Sequence, residues 1–475
     1  MKHYTAVVIG SGPAGYTCAV RLTQLGGKVA IVERDYVGGI CTNWGCTPSK
    51  SMIESAKIAR VVQEAARYGI HVPSYSINFA EVAARRDEVI TRARNEIVEL
   101  LHHYGVDLYQ GEGSILAAGH VQVRGGKLDA DGEVMHFDGD IQELSADHIV
   151  LGTGSSPLIP GFVDKDDPTV VSSNRLITIA ELPQSLTIVG GGVIGLEFAT
   201  IFSNMGVKVT VVEFLDRVLA TLDPEISAGI TQQMQAHGVT VLTGWEVKRV
   251  GNGRVEAVNR TSGEALLLSG DAVLISIGRR PVIHAEEYTG AGIGFSPKGI
   301  EVDDYLRTTA PGIWAIGDAT GKSILAHVGI QQGIVAAENI MAGEGGSLRA
   351  MDYSVVPAVV YSIPEVAAVG TVPADLTGVT VFKAPFTANL RARIEAYDEG
   401  FVKIWVRESE RGPIVVAAQA LGHNVSEMIQ ELANMIALKT PLNDVASIIH
   451  AHPTYSEITR TVLELALGKA IELHA

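Results

Sequence analysis

A glycine-rich turn set between a strand pattern and a helix pattern occurs twice in this chain, and few folds accommodate it. AVVIGSGPAGYTCAVRL carries Gly10, Gly12 and Gly15, and LTIVGGGVIGLEFATIF carries Gly190, Gly192 and Gly195 in the same setting. In a G-x-G-x-x-G segment the first glycine permits a tight turn, and the second lets backbone approach a pyrophosphate. The third lets helix and strand pack closely. The N-terminus of the following helix then faces the phosphates. Each copy leads to a second strand ending in an acid, KVAIVER at Glu33 and VKVTVVEF at Glu213, both 23 positions after the first glycine. A carboxylate there can accept a hydrogen bond from an adenosine ribose. One copy alone is a weak signal, because glycine turns are common. The repeated spacing makes two dinucleotide-binding units the reading.

Each unit also has a later strand that closes on glycine. ADHIVLGTGSSP ends at Gly152, with Gly154 just beyond, and DAVLISIGRRP ends at Gly278. The second unit thus reads as inserted into the first. The expected layout is 1–150 and 277–347 for one dinucleotide domain, 151–276 for the inserted one, and 348–475 for a C-terminal domain. LRTTAPGIWAIGDAT puts a strand before Asp318, whose carboxylate suits either a sugar-alcohol chain or an ordinary turn. Beyond 348, FVKIWV and PIVVAAQALG read as strands, and amphipathic helices begin near MIQELANMIALK, with an apolar face free for self-association. The fold class expected is α/β, with two Rossmann-like domains and a C-terminal α+β dimerisation domain.

With 475 residues the chain exceeds what one core supports. A net charge of −16 gives no reason to expect nucleic acid or an anionic membrane as partner. No apolar run reaches the roughly 20 residues of a membrane span. The first strand signal, TAVVIG, starts at Thr5, so no targeting peptide is expected and the cytoplasm is the expected compartment.

Three cysteines are too few for a disulfide framework, yet Cys41 and Cys46 lie close together in GGICTNWGCTPSK. Residues five apart in a regular helix are separated by about 7.5 Å of rise. A disulfide needs α-carbons within roughly 7 Å, so a bridge here requires a distorted segment, and Gly45 supplies the freedom. Zinc lacks a second cysteine pair to complete four ligands, so no metal is expected. A redox pair is the better reading. Cys18, on the first helix, reads as a small buried hydrophobe.

GGICTNWGCTPSK resembles the active-site segment of the flavin-dependent pyridine nucleotide–disulfide oxidoreductases. The resemblance extends through both glycine motifs, GTG at 152–154, IGRRP at 277–281, IGDAT at 316–320 and YSIPEVAAVG at 361–370. It implies FAD on the first dinucleotide fold, with Gly10, Gly12, Gly15, Glu33, Gly154, Asp318 and His327 around it. NAD is implied on the second, with Gly190, Gly192, Gly195, Glu213 and Gly278. Cys46 would be the charge-transfer thiol beside the flavin, Cys41 the interchange thiol that meets substrate, and Lys50 the partner of Glu197 near the flavin ring.

HAHPTYSEIT near the C-terminus holds His450, His452 and Glu457. Thiol–disulfide exchange needs a proton acceptor and then a donor, and imidazole titrates in the right range. The resemblance makes His452 and Glu457 the base dyad, lent across a homodimer to the partner's dithiol. Thr454-x-x-Glu457 also has the form of a helix capping box, a role that one glutamate would not readily combine with the other. HAHPTYSE and the ANLRA stretch most resemble the dihydrolipoamide dehydrogenase branch. That branch implies NAD-linked oxidation of lipoyl-bearing proteins or a small dithiol, with membership of a 2-oxo acid dehydrogenase complex. No cysteine follows Cys46, unlike mercuric reductases and large thioredoxin reductases. Two other readings stand beside it: a glutathione reductase-like enzyme consuming NAD(P)H, and a flavin-bearing assembly subunit. Thr42, Trp44 and Thr47 depart from the aliphatic residues common in the motif, and Val328 stands where lysine is frequent.

Overall fold

The computed structural model describes residues 1–128, 135–137, 139–343 and 345–473. Strand Lys2–Ile9 runs parallel to Val29–Glu33 on one side and to Ile141–Leu151 on the other. Asp107–Ala117 and Ile313–Ala315 extend this sheet at its two edges. Its central segments are apolar and all five residues of Val29–Glu33 are buried, as expected where helices cover both faces. Asp107–Ala117 and Ile141–Leu151 are each 11 residues long and run on into an antiparallel layer with His120–Gly125.

The second sheet repeats the plan. Ser185–Val189 lies between Lys208–Glu213 and Ala272–Ile275, with Thr240–Thr243 and Val170–Ser172 outside them, all parallel. An antiparallel meander of Trp245–Gly251, Arg254–Asn259 and Ala265–Ser269 follows. The edge strand Ile313–Ala315 joins the first sheet only after the second is complete. A third sheet is antiparallel, ordered Ala358–Val360, Glu365–Gly370, Ile414–Gly422, Phe401–Arg407, Val379–Pro385. Helix Val425–Leu438 buries Val425, Met428, Ile429, Leu432 and Met435, a stripe at helical spacing.

One core cluster joins the dithiol helix to the second and third sheets. Met52, Ile53 and Ala56 of helix Cys46–Gln63 join Phe198, Ile201 and Phe202 of helix Val193–Asn204, together with Val360 and Leu421. The dithiol helix is thereby packed on the helix that follows the second glycine turn.

The two glycine turns are built alike. Gly10 has φ +100°, and a β-carbon on it would lie 2.3 Å from the carbonyl oxygen of Gly152; Gly190 has φ +112° and would meet that of Ser276 at 2.6 Å. On Gly15 a β-carbon would fall 1.9 Å from Gly10 O, and on Gly195 2.1 Å from Gly190 O. Gly12 and Gly192 face open space, with nothing within 4 Å. Gly195→Ala is therefore expected to destabilise the chain by about 2–3 kcal/mol in urea unfolding, through overpacking against backbone. Gly192→Ala, whose φ of −82° suits any residue, should unfold within about 0.5 kcal/mol of the parent. Equal midpoints for the two variants would contradict this division of roles.

Candidate active site

The dithiol segment sits on the first glycine turn. Gly38 and Gly39 have φ of +96° and +58°, and a β-carbon on Gly39 would lie 2.7 Å from Gly12 Cα. Helix Gly39–Trp44 carries Cys41 and stops at Gly45, whose φ −134°, ψ −113° is neither helical nor extended. Helix Cys46–Gln63 starts at the next residue. The Gly45 break is the distortion that the close cysteine spacing requires. Asn43 locks the turn: Nδ2 donates to the carbonyls of Tyr36, Val37 and Gly39 at 3.3, 3.1 and 2.9 Å. Its Oδ1 accepts from Arg94 Nε and Nη2 at 3.0 and 2.8 Å, and Arg94 lies over the Tyr36 ring at 3.6 Å.

Cys41 and Cys46 are free thiols, Cys41 half-buried and Cys46 exposed at the surface of this chain. Interaction with the neighbouring Cys41 thiol, aided by the Lys50 cation, pulls the Cys46 thiol down to about 7. Cys46 also opens an 18-residue helix, whose N-terminal dipole favours a thiolate. The same interaction, together with burial, pushes Cys41 up. Cys18, fully buried, is pushed up to about 12 and is inert.

Lys50 Nζ meets both Glu197 oxygens at 3.0 Å and stands over the Tyr361 ring at 4.2 Å. Tyr361 N–H donates to Glu197 Oε1 at 3.1 Å. Arg279 donates from Nε to Ser155 Oγ and from Nη2 to Ser155 O, both at 2.8 Å, and Ser155 Oγ donates to Asp318 Oδ2 at 2.6 Å. Burial holds Asp318 above the usual carboxylate range and Arg279 below its own, and Arg279 feels the charges of Asp318 and Cys46. Arg279, Ser155, Tyr361, Asn43 and Arg94 were not singled out from sequence. Arg279 had a signal, its place directly after Gly278 in IGRRP; Arg94, in the middle of a long helix, had none.

The acids at the strand ends grip the turns. Glu33 Oε2 accepts from Ser11 N and Oγ at 2.8 and 2.6 Å, and Oε1 from Asp35 N at 2.8 Å. Glu213 Oε2 accepts from Gly191 N at 2.5 Å and Oε1 from Leu215 N at 2.7 Å. A carboxylate has about four lone-pair positions, so a ribose hydroxyl fits beside these donors. The open cradles at Gly12 and Gly192 fit a pyrophosphate at each turn. Gly154 and Gly278, at φ +72° and +134°, also border open space. His327 is exposed, with Nε2 bonded to Pro357 O at 2.8 Å.

His452 Nδ1 pairs with Glu457 Oε1 at 2.9 Å, and Thr454 N–H donates to Glu457 Oε2 at 2.9 Å. The capping box expected over Thr454–Glu457 does not form, because the helix starts at Glu457 and its N-cap is Ser456, without a side-chain capping bond; each Glu457 oxygen takes one partner in the preceding loop. Against its burial, the Thr454 N–H and His452 hold Glu457 below its ordinary range. His450 turns away, with Nε2 on Glu431 at 3.2 Å and Nδ1 on Ile448 O at 3.0 Å. The charged and hydrogen-bonding neighbours given above for Cys41 and Cys46 come from residues up to 361 and do not include His452, whose side chain is 63% exposed.

A dithiol with one thiol drawn to neutrality, between two dinucleotide cradles, defines a dinucleotide-dependent disulfide oxidoreductase. Residues 4–333 match the family described as Pyridine nucleotide-disulphide oxidoreductase, and 356–463 match its dimerisation domain. The chain belongs to the pyridine nucleotide-disulphide oxidoreductase family. It is 35% identical to a dihydrolipoyl dehydrogenase of Halobacterium salinarum, covering 98% of this chain and 96% of that one. It is also 35% identical to one of Geobacillus stearothermophilus, over 98% and 97%. Among solved structures it is similar to the HOCl-induced flavoprotein disulfide reductase RclA of Escherichia coli, with a TM-score of 0.84, 27% identity, and 98% and 100% coverage. LpdA of Mycobacterium tuberculosis also gives 0.84, at 26% identity over 98% and 100%. The family's cofactors are FAD and NAD, and its dimerisation domain makes the chain a homodimer. No helix among the described residues is long and apolar enough to cross a membrane.

In the reduced, cofactor-free protein, alkylation of Cys46 by iodoacetamide should rise with pH through a midpoint near 7. Lys50→Met removes a cation that favours the thiolate, so the midpoint should move upward. An unmoved midpoint, read by peptide mass spectrometry, would count against the Lys50 contribution.

Proposed function

We propose that the chain is a dihydrolipoyl dehydrogenase, oxidising dihydrolipoyl groups with NAD⁺. The observation that carries this is the His452–Glu457 pair in HAHPTYSE, in a chain with a proximal dithiol and no cysteine after Cys46. The near full-length similarity to proteins named for that activity supports it. Cys41, Cys46, Lys50, Glu197, His452 and Glu457 carry the chemistry in this reading.

In the oxidised enzyme Cys41 and Cys46 form a disulfide. His452 takes a proton from one dihydrolipoyl thiol, and the thiolate attacks the Cys41 sulfur. A substrate–Cys41 bond forms while the Cys41–Cys46 bond breaks, and Cys46 leaves as a thiolate, favoured by Lys50 and the helix N-terminus. The His452 imidazolium gives its proton to the departing Cys41 and takes that of the second substrate thiol, whose sulfur breaks the mixed disulfide and closes the lipoyl disulfide. Glu457 holds the Nδ1 proton, so Nε2 is the nitrogen that exchanges. Bound FAD and NAD⁺ supply the two-electron relay that regenerates the disulfide. Lipoyl-bearing proteins of a 2-oxo acid dehydrogenase complex are the proposed partners, in the cytoplasm. The domain limits are proposed as 1–150 with 277–347 for FAD, 151–276 for NAD and 348–475 for dimerisation.

Steady-state assays test the substrates. Dihydrolipoamide should be turned over faster than glutathione disulfide is reduced, and NAD⁺ should exceed NADP⁺ in kcat/KM by about tenfold or more. Glu213 would repel a 2′-phosphate, Phe214 rather than an arginine follows it, and Arg217 is tied at Nη2 to the Ala220 carbonyl at 2.8 Å. Equal efficiency with NADP⁺ would sink the cofactor assignment.

The site is proposed to need two chains, because the His452 imidazole points into solvent within one chain. Refolding Cys46→Ser with His452→Gln chains makes about half the dimers mixed, each with one intact site. Roughly a quarter of the parent activity should return. No recovery, with mixed dimers demonstrated, would show that each chain supplies its own base.

A further inference from the structure

The loop bearing His452 and Glu457 is anchored on the side away from the imidazole. Tyr455, between them in sequence, is only 7% exposed, and its hydroxyl donates to Glu395 Oε2 at 2.9 Å. Its ring meets Phe386 with centroids 6.1 Å apart and lies 5.4 Å from His423, which stacks on Tyr397 at 4.6 Å. Asn389 Nδ2 donates to the carbonyls of Thr454 and Tyr455 at 3.0 and 3.4 Å, while its Oδ1 accepts from Ala392 N and caps helix Leu390–Ile394. Glu395, just past that helix, is itself fixed. Arg391 pairs with its carboxylate, Tyr68 donates to its carbonyl, and Arg67 donates to the next carbonyl at 2.9 Å.

The contrast with His452 is sharp. Within one chain that ring is mostly exposed, and among the described residues its side-chain partner is Glu457. Where Nε2 points is therefore set by the loop backbone, and the loop is set by what holds its buried side. Burial and the Glu395 carboxylate push the Tyr455 phenol up, so it remains a donor to a charged acceptor, among the stronger kinds of hydrogen bond. An apolar residue would fill the same place against Phe386 without tying the loop to Glu395.

We propose that Tyr455, through its hydrogen bond to Glu395, is a positioning residue for the His452–Glu457 base pair. The proposal rests on the reading of His452 as the base in thiol exchange. In the FAD-loaded dimer, Tyr455→Phe should lower kcat for dihydrolipoamide about tenfold with KM little changed. NADH oxidation by ferricyanide, which needs no thiol exchange, should be unaffected. Glu395→Ala should reproduce the loss, the double variant should add nothing to it, and Glu395→Gln, which retains an acceptor, should restore most of the rate. Full dihydrolipoamide turnover in Tyr455→Phe and Glu395→Ala, or a loss in Glu395→Gln equal to that in Glu395→Ala, overturns the proposal. His452→Gln is measured alongside: if it keeps full dihydrolipoamide turnover, the base assignment falls rather than the anchor alone.

Discussion

The packing of helix Cys46–Gln63 on helix Val193–Asn204, pinned by Lys50 on Glu197, is the contact on which the site depends. Each helix belongs to a different dinucleotide unit, so this one contact fixes how the two cradles face the dithiol. Glu197 has a side chain only 9% exposed and holds both Lys50 and the Tyr361 N–H. Removing Lys50 would leave a buried carboxylate with one backbone donor, a costly state in a low-dielectric setting. Beneath it, Met52, Ile53, Phe198 and Phe202 form an apolar seam that continues to Leu421 of the third sheet. The charge pair lies at the rim of that seam and also acts on Cys46, so the same lysine joins architecture to thiol chemistry.

The two glycine turns divide labour identically. The first and third glycines are demanded by the protein itself, through contacts that no β-carbon survives, whereas the second is demanded by what lies outside it. Glu33 and Glu213 add a tie that neither motif spells out: each carboxylate grips the backbone of its own turn. The acid thus shapes the cradle as well as offering an acceptor to a ribose.

At the other end of the chain, Glu457 holds the His452 ring and the loop backbone at once. A carboxylate has two oxygens, and the turn at Thr454 brings a backbone N–H to one and the His452 ring to the other. The ANLRA stretch acquires a physical role as well, since Asn389 holds the carbonyls of Thr454 and Tyr455.

Sequence by itself determined the repeated dinucleotide units, the insertion of one in the other, and the residues of the dithiol, because those features are local. A glycine turn, a strand-end acid and a cysteine spacing are all read within about 25 positions of chain. Strands Phe401–Arg407 and Ile414–Gly422 were legible for the same reason, being long apolar runs. Ala358–Val360, with only three residues, and Val379–Pro385, whose VTVFKAP does not alternate strictly between apolar and polar, carried too little periodicity to stand out. Tertiary structure alone decided that Arg279 lies near Cys46, that Arg94 holds Asn43, and that Tyr455 is tied to Glu395. Those contacts join residues tens to hundreds of positions apart, and only the packing of the folded layers sets such distances.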